Sequence, residues 1–283
     1  MKEQFRKVGF SANSRDLLGG INSILDEYSG RGIRVTLRQL YYQLVARDII
    51  PNQTREYSKL SILLTKARYA GIIDWDAIED RVRIPIIPQT FRDMPHLLEV
   101  AEEAYQLDRW KKQEHYIELW TEKDAISSVI SPITTTYQVP LCINRGYSSA
   151  SAMYDSATRF LGQEDKSKLL LYLGDHDPSG LDMDRDIQER LKEFGVDFEF
   201  TRIGLTMDQI REHAPPPNPT KITDPRARGY IELFGNTSWE VDALRPEFLQ
   251  ELIEESILEY LDLEKYEAVK VQERRDILKL RKR

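Results

Sequence analysis

Residues 169–180 read LLLYLGDHDPSG, and the fold class turns on them. Leu169 to Leu173 is an unbroken apolar run of strand length, suited to burial on both faces of a sheet. Gly174 ends the run, and Asp175 and Asp177 follow two residues apart. In an extended segment the pleat puts both carboxylates on one side and His176 on the other. Pro178 and Gly180 turn the chain into a helix over Leu181–Phe194, a junction that favours close approach of a phosphate.

The same alternation continues in both directions. Apolar runs at His115–Trp120, Val139–Ile143 and Phe198–Ile203 read as strands. Ala125–Ile130 and Ala150–Leu161 read as the helices between them. Strands alternating with helices imply a mostly parallel α/β sheet, whose ligand groups gather beyond the carboxyl ends of the strands. Glu122 stands just past one such strand, as Asp175 and Asp177 do past another. Three carboxylates brought together repel unless a cation neutralises them. Oxygen donors without paired His or Cys suit Mg²⁺ or Mn²⁺. Lys123 reads as the solvated start of a helix, with a phosphate contact as the other reading. The C-terminal part, Arg245–Glu264, reads as helical, and a Lys/Arg-rich tail follows.

The N-terminal part is helical instead. A helix spans 12–29, and Gly30 and Gly32 break it. Thr36 with Gln39 fits a capping box at the start of a second helix reaching about Arg47. A third runs from about Arg55 to Ala70 and is closed by Gly71. The stretch IIDWDAIEDRVRIPII (72–87) is a short turn-and-strand region with Pro85, Pro88 lies just beyond it, and a helical connector covers Met94–Trp110. Three helices before a short β element form a winged helix-turn-helix pattern. On the second helix, Leu37, Leu40, Tyr41, Leu44 and Val45 share one stripe, so Tyr41 belongs to the core. Tyr42 lies about 100° further round, off the stripe and facing solvent. Arg38, four residues earlier, is its neighbour on one helix face. A phenol with a reference pKa of about 10 is a poor nucleophile. A guanidinium beside it favours the phenolate and holds a phosphate, which suits attack on a phosphodiester. The other reading is a tyrosine packed at the edge of a helical core.

Composition agrees with two domains, or one large one, in 283 residues: 41% hydrophobic and 31% charged is an ordinary globular balance. No apolar run is long enough to span a bilayer, and the N-terminus lacks the apolar segment of a secretory signal. The single Cys142 rules out an intramolecular disulfide and a Cys-rich metal site and points to a reducing, cytoplasmic setting. The net charge of −7 argues against a protein that coats nucleic acid indiscriminately. Residues 1–92 nevertheless hold 15 Lys and Arg against 10 Asp and Glu, so the remainder carries a net of −12. That asymmetry suggests a basic DNA-facing module joined to an acidic one.

Glu122 followed about 50 residues later by the D-x-D turn resembles the Toprim domain of topoisomerases, bacterial primases and some nucleases. Together with Thr36-Leu37-Arg38 and Tyr41-Tyr42, the chain over about 31–245 resembles the A subunit of topoisomerase VI and the related meiotic double-strand-break transesterase. Supporting motifs are Trp120-Thr121-Glu122-Lys123-Asp124-Ala125, Arg145-Gly146-Tyr147, Gly174-Asp175-His176-Asp177-Pro178-Ser179-Gly180 and Val241-Asp242-Ala243-Leu244. Its length is that of a compact, "mini-A" member found on bacterial or archaeal mobile elements.

The resemblance implies a winged-helix tyrosine domain over 1–92, a connector over 93–112 and a Toprim domain with a helical extension over 113–283. It implies Tyr42 as the nucleophile, forming a 5′-phosphotyrosyl link, with Arg38 steadying the phosphate. It implies Mg²⁺, or Mn²⁺, on Glu122, Asp175 and Asp177. It also implies a nucleoid-associated homodimer in which Tyr42 of one chain meets the metal site of the other. Candidate contacts to double-stranded DNA are Lys59, Lys66 and Arg68 on the third helix, Arg81 and Arg83 on the wing, and Arg145. In topoisomerase VI a longer N-terminal extension contacts an ATPase B subunit; here 35 residues precede Thr36, so that partner stays open. Two alternatives remain: a Toprim nuclease using metal-activated water, and a non-catalytic DNA-binding dimer that needs a partner.

Overall fold

The computed structural model describes residues 2–79, 88–144 and 146–281. The chain opens with α1 (Ala12–Gly30), capped by the Ser11 hydroxyl and burying Leu18, Ile21, Ile24 and Leu25. Strand β1 (Val35–Thr36) leads into α2 (Leu37–Ala46). Both halves of the expected capping box are made between Thr36 and Gln39. Helix α3 (Thr54–Tyr69) ends before Gly71, whose φ of 73° is a conformation L side chains rarely adopt. Strand β2 (Ile78–Glu79) pairs in parallel with β1. The remainder of the short β element, with Arg81 and Arg83, lies outside the described residues, as does Arg145.

Helix α4 (Met94–Ala104) stops six residues short of the expected connector. Beyond it the Leu107 N–H donates to the Glu273 carboxylate and the Arg109 N–H to the Gln138 amide oxygen. Those side chains take backbone donors that a continuing helix would use. There follow β3 (His115–Thr121), a 3₁₀ turn at Asp124–Ile126, α5 (Ser127–Tyr137), β4 (Leu141–Ile143), α6 (Ala150–Leu161), β5 (Ser167–Leu173), α7 (Pro178–Glu193) and β6 (Glu199–Gly204). Strand β4 starts later than expected: the Val139 N–H closes α5 on Thr134, and Pro140 has no N–H to pair. Helix α5 outruns the expected Ile130 and carries Pro132 in its interior.

After β6 come α8 (Met207–His213), β7 (Asn218–Pro219), α9 (Ala227–Phe234), β8 (Thr237–Ser238), a second 3₁₀ turn at Val241–Ala243, α10 (Pro246–Leu258) and α11 (Leu263–Leu280). The single C-terminal helix and tail expected from sequence are thus two helices. Buried Gln113 pins the break, its amide bonding both the N–H and the carbonyl of Asp262, while the Asp262 carboxylate caps α11.

Among the described residues the main sheet has four strands in the order β4-β3-β5-β6, every pair parallel. The α/β expectation is met. One face of the sheet packs Ile117, Leu119, Leu169 and Leu171 against Val129, Ile130, Leu249 and Ile253 of α5 and α10. That core runs on without a gap into Leu18, Leu40, Leu44 and Leu64 of the N-terminal helices. The other face packs Trp120, Leu170 and Tyr172 against Met153 and Phe160 of α6 and Met183, Ile187 and Leu191 of α7. Each such side chain contributes about 1.5–3 kcal/mol on burial, which is why apolar residues dominate the two central strands, while the buried Glu118 of β3 is paired with Arg159. No described helix is long and apolar enough to cross a membrane.

Candidate functional site

Strands β3 and β5 are neighbours in the sheet, with Thr121 opposite Leu173. The chain passes from β3 outward to β4, then back across to β5 on the other side. This reversal of strand order opens a crevice at the carboxyl ends of β3 and β5. Glu122 and Gly174-Asp175 are the residues that emerge there. The Asp175 N–H donates to Glu122 Oε1 at 2.6 Å. Burial, and then the Asp175 charge, pushes the Glu122 carboxyl up to about 7. Asp175 is itself buried: Oδ1 accepts from the Val241 N–H at 3.0 Å and Oδ2 lies 2.7 Å from Lys123 Nζ. Burial drives its pKa up against the pull of Lys123.

Asp177 is placed differently. It is the N-cap of α7, its Oδ1 accepting from the Gly180 N–H at 2.6 Å and from the Ser179 hydroxyl at 2.8 Å. Gly180 is required because a Cβ there would stand 2.3 Å from the Asp175 carbonyl oxygen. Arg202 braces this turn from β6, donating to the carbonyls of Gly174 at 2.8 Å and Asp175 at 2.5 Å and to Asp184 Oδ1 at 2.6 Å. The expected three-carboxylate cluster is therefore not assembled. Among the described residues no three His, Cys, Asp or Glu side chains gather as a metal cage. The physical reason is competition: the helix cap takes Asp177, and the Lys123 ammonium takes Asp175.

Lys123 is not a solvated helix start. Its side chain is 18% exposed and bridges Asp175 and, at 3.1 Å, Glu240 Oε2. Burial opposes its charge, but Asp242, Asp175 and Glu240 outweigh that and hold the ammonium charged. His176 faces away from the carboxylates, as expected, into Tyr230, Phe234 and Trp239. Burial, and then Arg202, lowers it to about 4, so the imidazole is neutral.

The two tyrosines stand on α2. Tyr41 is core, its hydroxyl donating to Asn52 Oδ1 at 3.0 Å and to the Gln53 carbonyl at 3.2 Å. Tyr42 is also buried, 4% exposed, not solvent-facing. Off the stripe, it is covered from outside α2: Asn218 Nδ2, on β7, donates to its oxygen at 3.3 Å. Arg38 lies 5.8 Å from its ring centroid. Arg38 nevertheless does not generate a phenolate. Burial first, then Asp242 and Glu240, hold the phenol above its ordinary value, against Arg38 and Asn218. The guanidinium is committed elsewhere: Nε lies 2.9 Å from Asp242 Oδ2, and Nη2 pairs with Glu240. A cavity of about 470 Å³ opens beside these groups, lined by Arg38, Tyr42, Tyr57, Asn218 and Glu240.

The two halves are joined by one segment. Trp239 pairs with His176 through the backbone, and Val241 bonds Asp175. Between them Glu240 links Arg38 to Lys123. Burial pushes Glu240 up, but Lys123 and Arg38 outweigh it and keep the carboxylate ionised. Asp242 is fully buried, and burial raises its pKa. No contact among the described residues joins Tyr42 directly to Glu122, Asp175 or Asp177; Arg38, Glu240 and Lys123 stand between. Sequence reasoning missed Glu240, Asn218 and Arg202. Asp242 lies in a quoted motif but carried no role.

Of the expected DNA contacts, Lys59 and Lys66 are exposed on α3, Lys59 paired with Glu56. Arg68 is a brace instead, donating to the carbonyls of Trp75 at 2.6 Å and Ile78 at 2.5 Å and lying over the Trp75 ring. Compared with protein-family models and with curated proteins, the chain matches none.

Proposed function

We propose that this chain is a DNA-cleaving tyrosyl transesterase of the topoisomerase VI A-subunit kind, with a winged-helix tyrosine module and a Toprim module. One observation carries the reading. The Arg38–Tyr42 face of α2 and the carboxylate ends of β3 and β5 meet through Glu240 and Lys123, beside a cavity that Tyr42 lines. In this reading the Tyr42 oxygen bonds to a backbone phosphorus as the bond to the 3′-oxygen breaks. The 3′-oxygen leaves as an alkoxide that takes a proton from water, and the 5′-phosphate stays on the protein. Glu240, ionised and lining the same cavity, receives the phenol proton. Arg38 steadies the phosphate charge.

A hard divalent cation would draw its oxygen donors from Glu122 and Asp175, displacing the Lys123 ammonium that neutralises Asp175 in its absence. Mg²⁺ is commonly held by one or two carboxylates together with substrate phosphate, so the helix-capping role of Asp177 is compatible. When bound, Mg²⁺ or Mn²⁺ would neutralise charge on the departing oxygen. Lys59 and Lys66 on α3 are the described candidates for backbone contact. A double-strand break needs two nucleophiles at a fixed separation, which a two-fold dimer supplies. The separation of Tyr42 from its own chain's carboxylates favours a site shared between two copies.

The test is trapping with SDS after incubating the chain with plasmid and Mg²⁺ or Mn²⁺. Protein covalently attached to cut DNA is expected. Cutting without attachment would favour the second reading, a Toprim nuclease in which water attacks. The buried, protonated state of Tyr42 and a Glu122 carboxyl near 7, suited to proton transfer, are the observations behind it.

A further inference from the structure

Four side chains form a directional hydrogen-bond chain that ends on Tyr42. The Tyr41 hydroxyl donates to Asn52 Oδ1 at 3.0 Å. Asn52 Nδ2 donates to Asn218 Oδ1 at 3.2 Å and to the Pro217 carbonyl at 2.5 Å. Asn218 Nδ2 then donates to the Tyr42 oxygen at 3.3 Å. The order fixes each amide. Pro217 offers only a carbonyl, so the nitrogen of Asn52 must face β7. Asn218 must then present its oxygen to Asn52 and its nitrogen to Tyr42. Among the described residues none accepts a hydrogen bond from the Tyr42 hydroxyl at rest, and Tyr42 lines the cavity together with Glu240.

We infer that Asn218 is a positioning residue for Tyr42: it holds the phenolic oxygen as an acceptor, aims the hydroxyl proton into the cavity, and stabilises the oxygen as negative charge develops. The inference rests on the reading of Tyr42 as nucleophile, and it gives the adjacent tyrosines distinct parts. Tyr41 anchors the relay and Tyr42 receives it. The other groups facing Tyr42 are Arg38 on its own helix, Tyr41 edge-on, and Asp242 and Glu240 from the segment after β8. Both carboxylates oppose a phenolate; Arg38, tied to them, favours it through its charge, and the Asn218 amide favours it as the hydrogen-bond donor to the oxygen itself. A hydrogen bond to a charged group changes the phenolate population about tenfold or more.

The experiment compares wild type with Asn218→Asp, which keeps the acceptor for Asn52 but removes the donor, and with Asn218→Ala, which adds no charge. Protein labelled with 2,3,5-trifluorotyrosine, whose phenol is far more acidic than that of tyrosine, is followed by ¹⁹F NMR across pH, the Tyr42 signal being assigned by its loss in Tyr42→Phe. In both variants the Tyr42 signal is expected to titrate at higher pH, and covalent adduct formation to fall about tenfold with its pH profile displaced to alkaline pH. Unchanged signals from the other tyrosines report an intact fold. A Tyr42 titration unmoved in both variants overturns the inference. If the titration moves while wild type forms no adduct, the relay stands and the nucleophile reading fails.

Discussion

Replacing Arg202 with Met should loosen the turn that carries Asp175 and Asp177. The guanidinium is 13% exposed and binds five oxygens: the carbonyls of Gly174, Asp175, Gly180 and Leu205, and Asp184 Oδ1. Met keeps the stem's packing and removes the charge, leaving Asp184 as a part-buried carboxylate without its partner. Removing one member of such a pair costs about 3–5 kcal/mol. For a chain of this length that is a fall of roughly 5–9 °C in Tm. Burial already holds Asp184 up to about 6 despite Arg202, and losing Arg202 raises it further. A raised native pKa means that the native state holds a proton the unfolded chain releases, so stability falls as pH rises through it. The deficit of Arg202→Met against wild type should therefore be larger at pH 8 than at pH 5. Adding Asp184→Leu should restore about 2 kcal/mol, since the unpaired charge goes while the carbonyls stay unbonded. Thermal unfolding monitored by circular dichroism measures all three chains. A single variant within 1 kcal/mol of wild type, about the worth of a surface pair, or a double variant no more stable than the single, would refute the clamp.

Glu122→Gln and Asp175→Asn should each weaken Mg²⁺ binding by calorimetry about tenfold or more, whereas Asp177→Asn should keep its helix cap, because Asn caps as well as Asp; unchanged affinity in the first two would sink the metal assignment. Mixing a Tyr42→Phe chain with a Glu122→Gln chain should restore nicking with covalent attachment if two copies share each site; a mixture as silent as its components argues for sites completed within one chain. Arg38→Ala should cost about 3 kcal/mol or more in thermal unfolding, because it strands the fully buried Asp242; a loss below about 1 kcal/mol would show that Lys123 alone suffices.

What the sequence disclosed was local. The Thr36–Gln39 box, the Tyr41 stripe and the placement of Glu122 and Asp175 past strand ends all follow from periodicities of a few residues, and each is found. What it hid was pairing at long range. Arg38 meets Glu240 across 202 positions, and Asn218 meets Tyr42 across 176. No periodicity reports such contacts. The burial of Tyr42 was missed for the same reason: the helical stripe marks the face toward neighbouring helices, while the segment around Glu240 and β7 covers the next face. Lys123 looked solvated because its partners, Asp175 and Glu240, come from elsewhere in the chain. Asp177 looked like a metal ligand because its spacing to Asp175 fits a ligand pair, whereas the helix that begins at Pro178 takes its carboxylate as the N-cap.

The identity of the residue that carries cut DNA tests the central claim most directly. Adduct trapped on plasmid would be digested with nuclease and trypsin, which releases the peptide Gln39–Arg47 containing both Tyr41 and Tyr42. Fragment-ion mass spectrometry then distinguishes the two side chains. A nucleotide joined through its 5′-phosphate to Tyr42, and no adduct from Tyr42→Phe, is the expected result. Attachment at Tyr41, or DNA cut at wild-type yield by Tyr42→Phe, would contradict it.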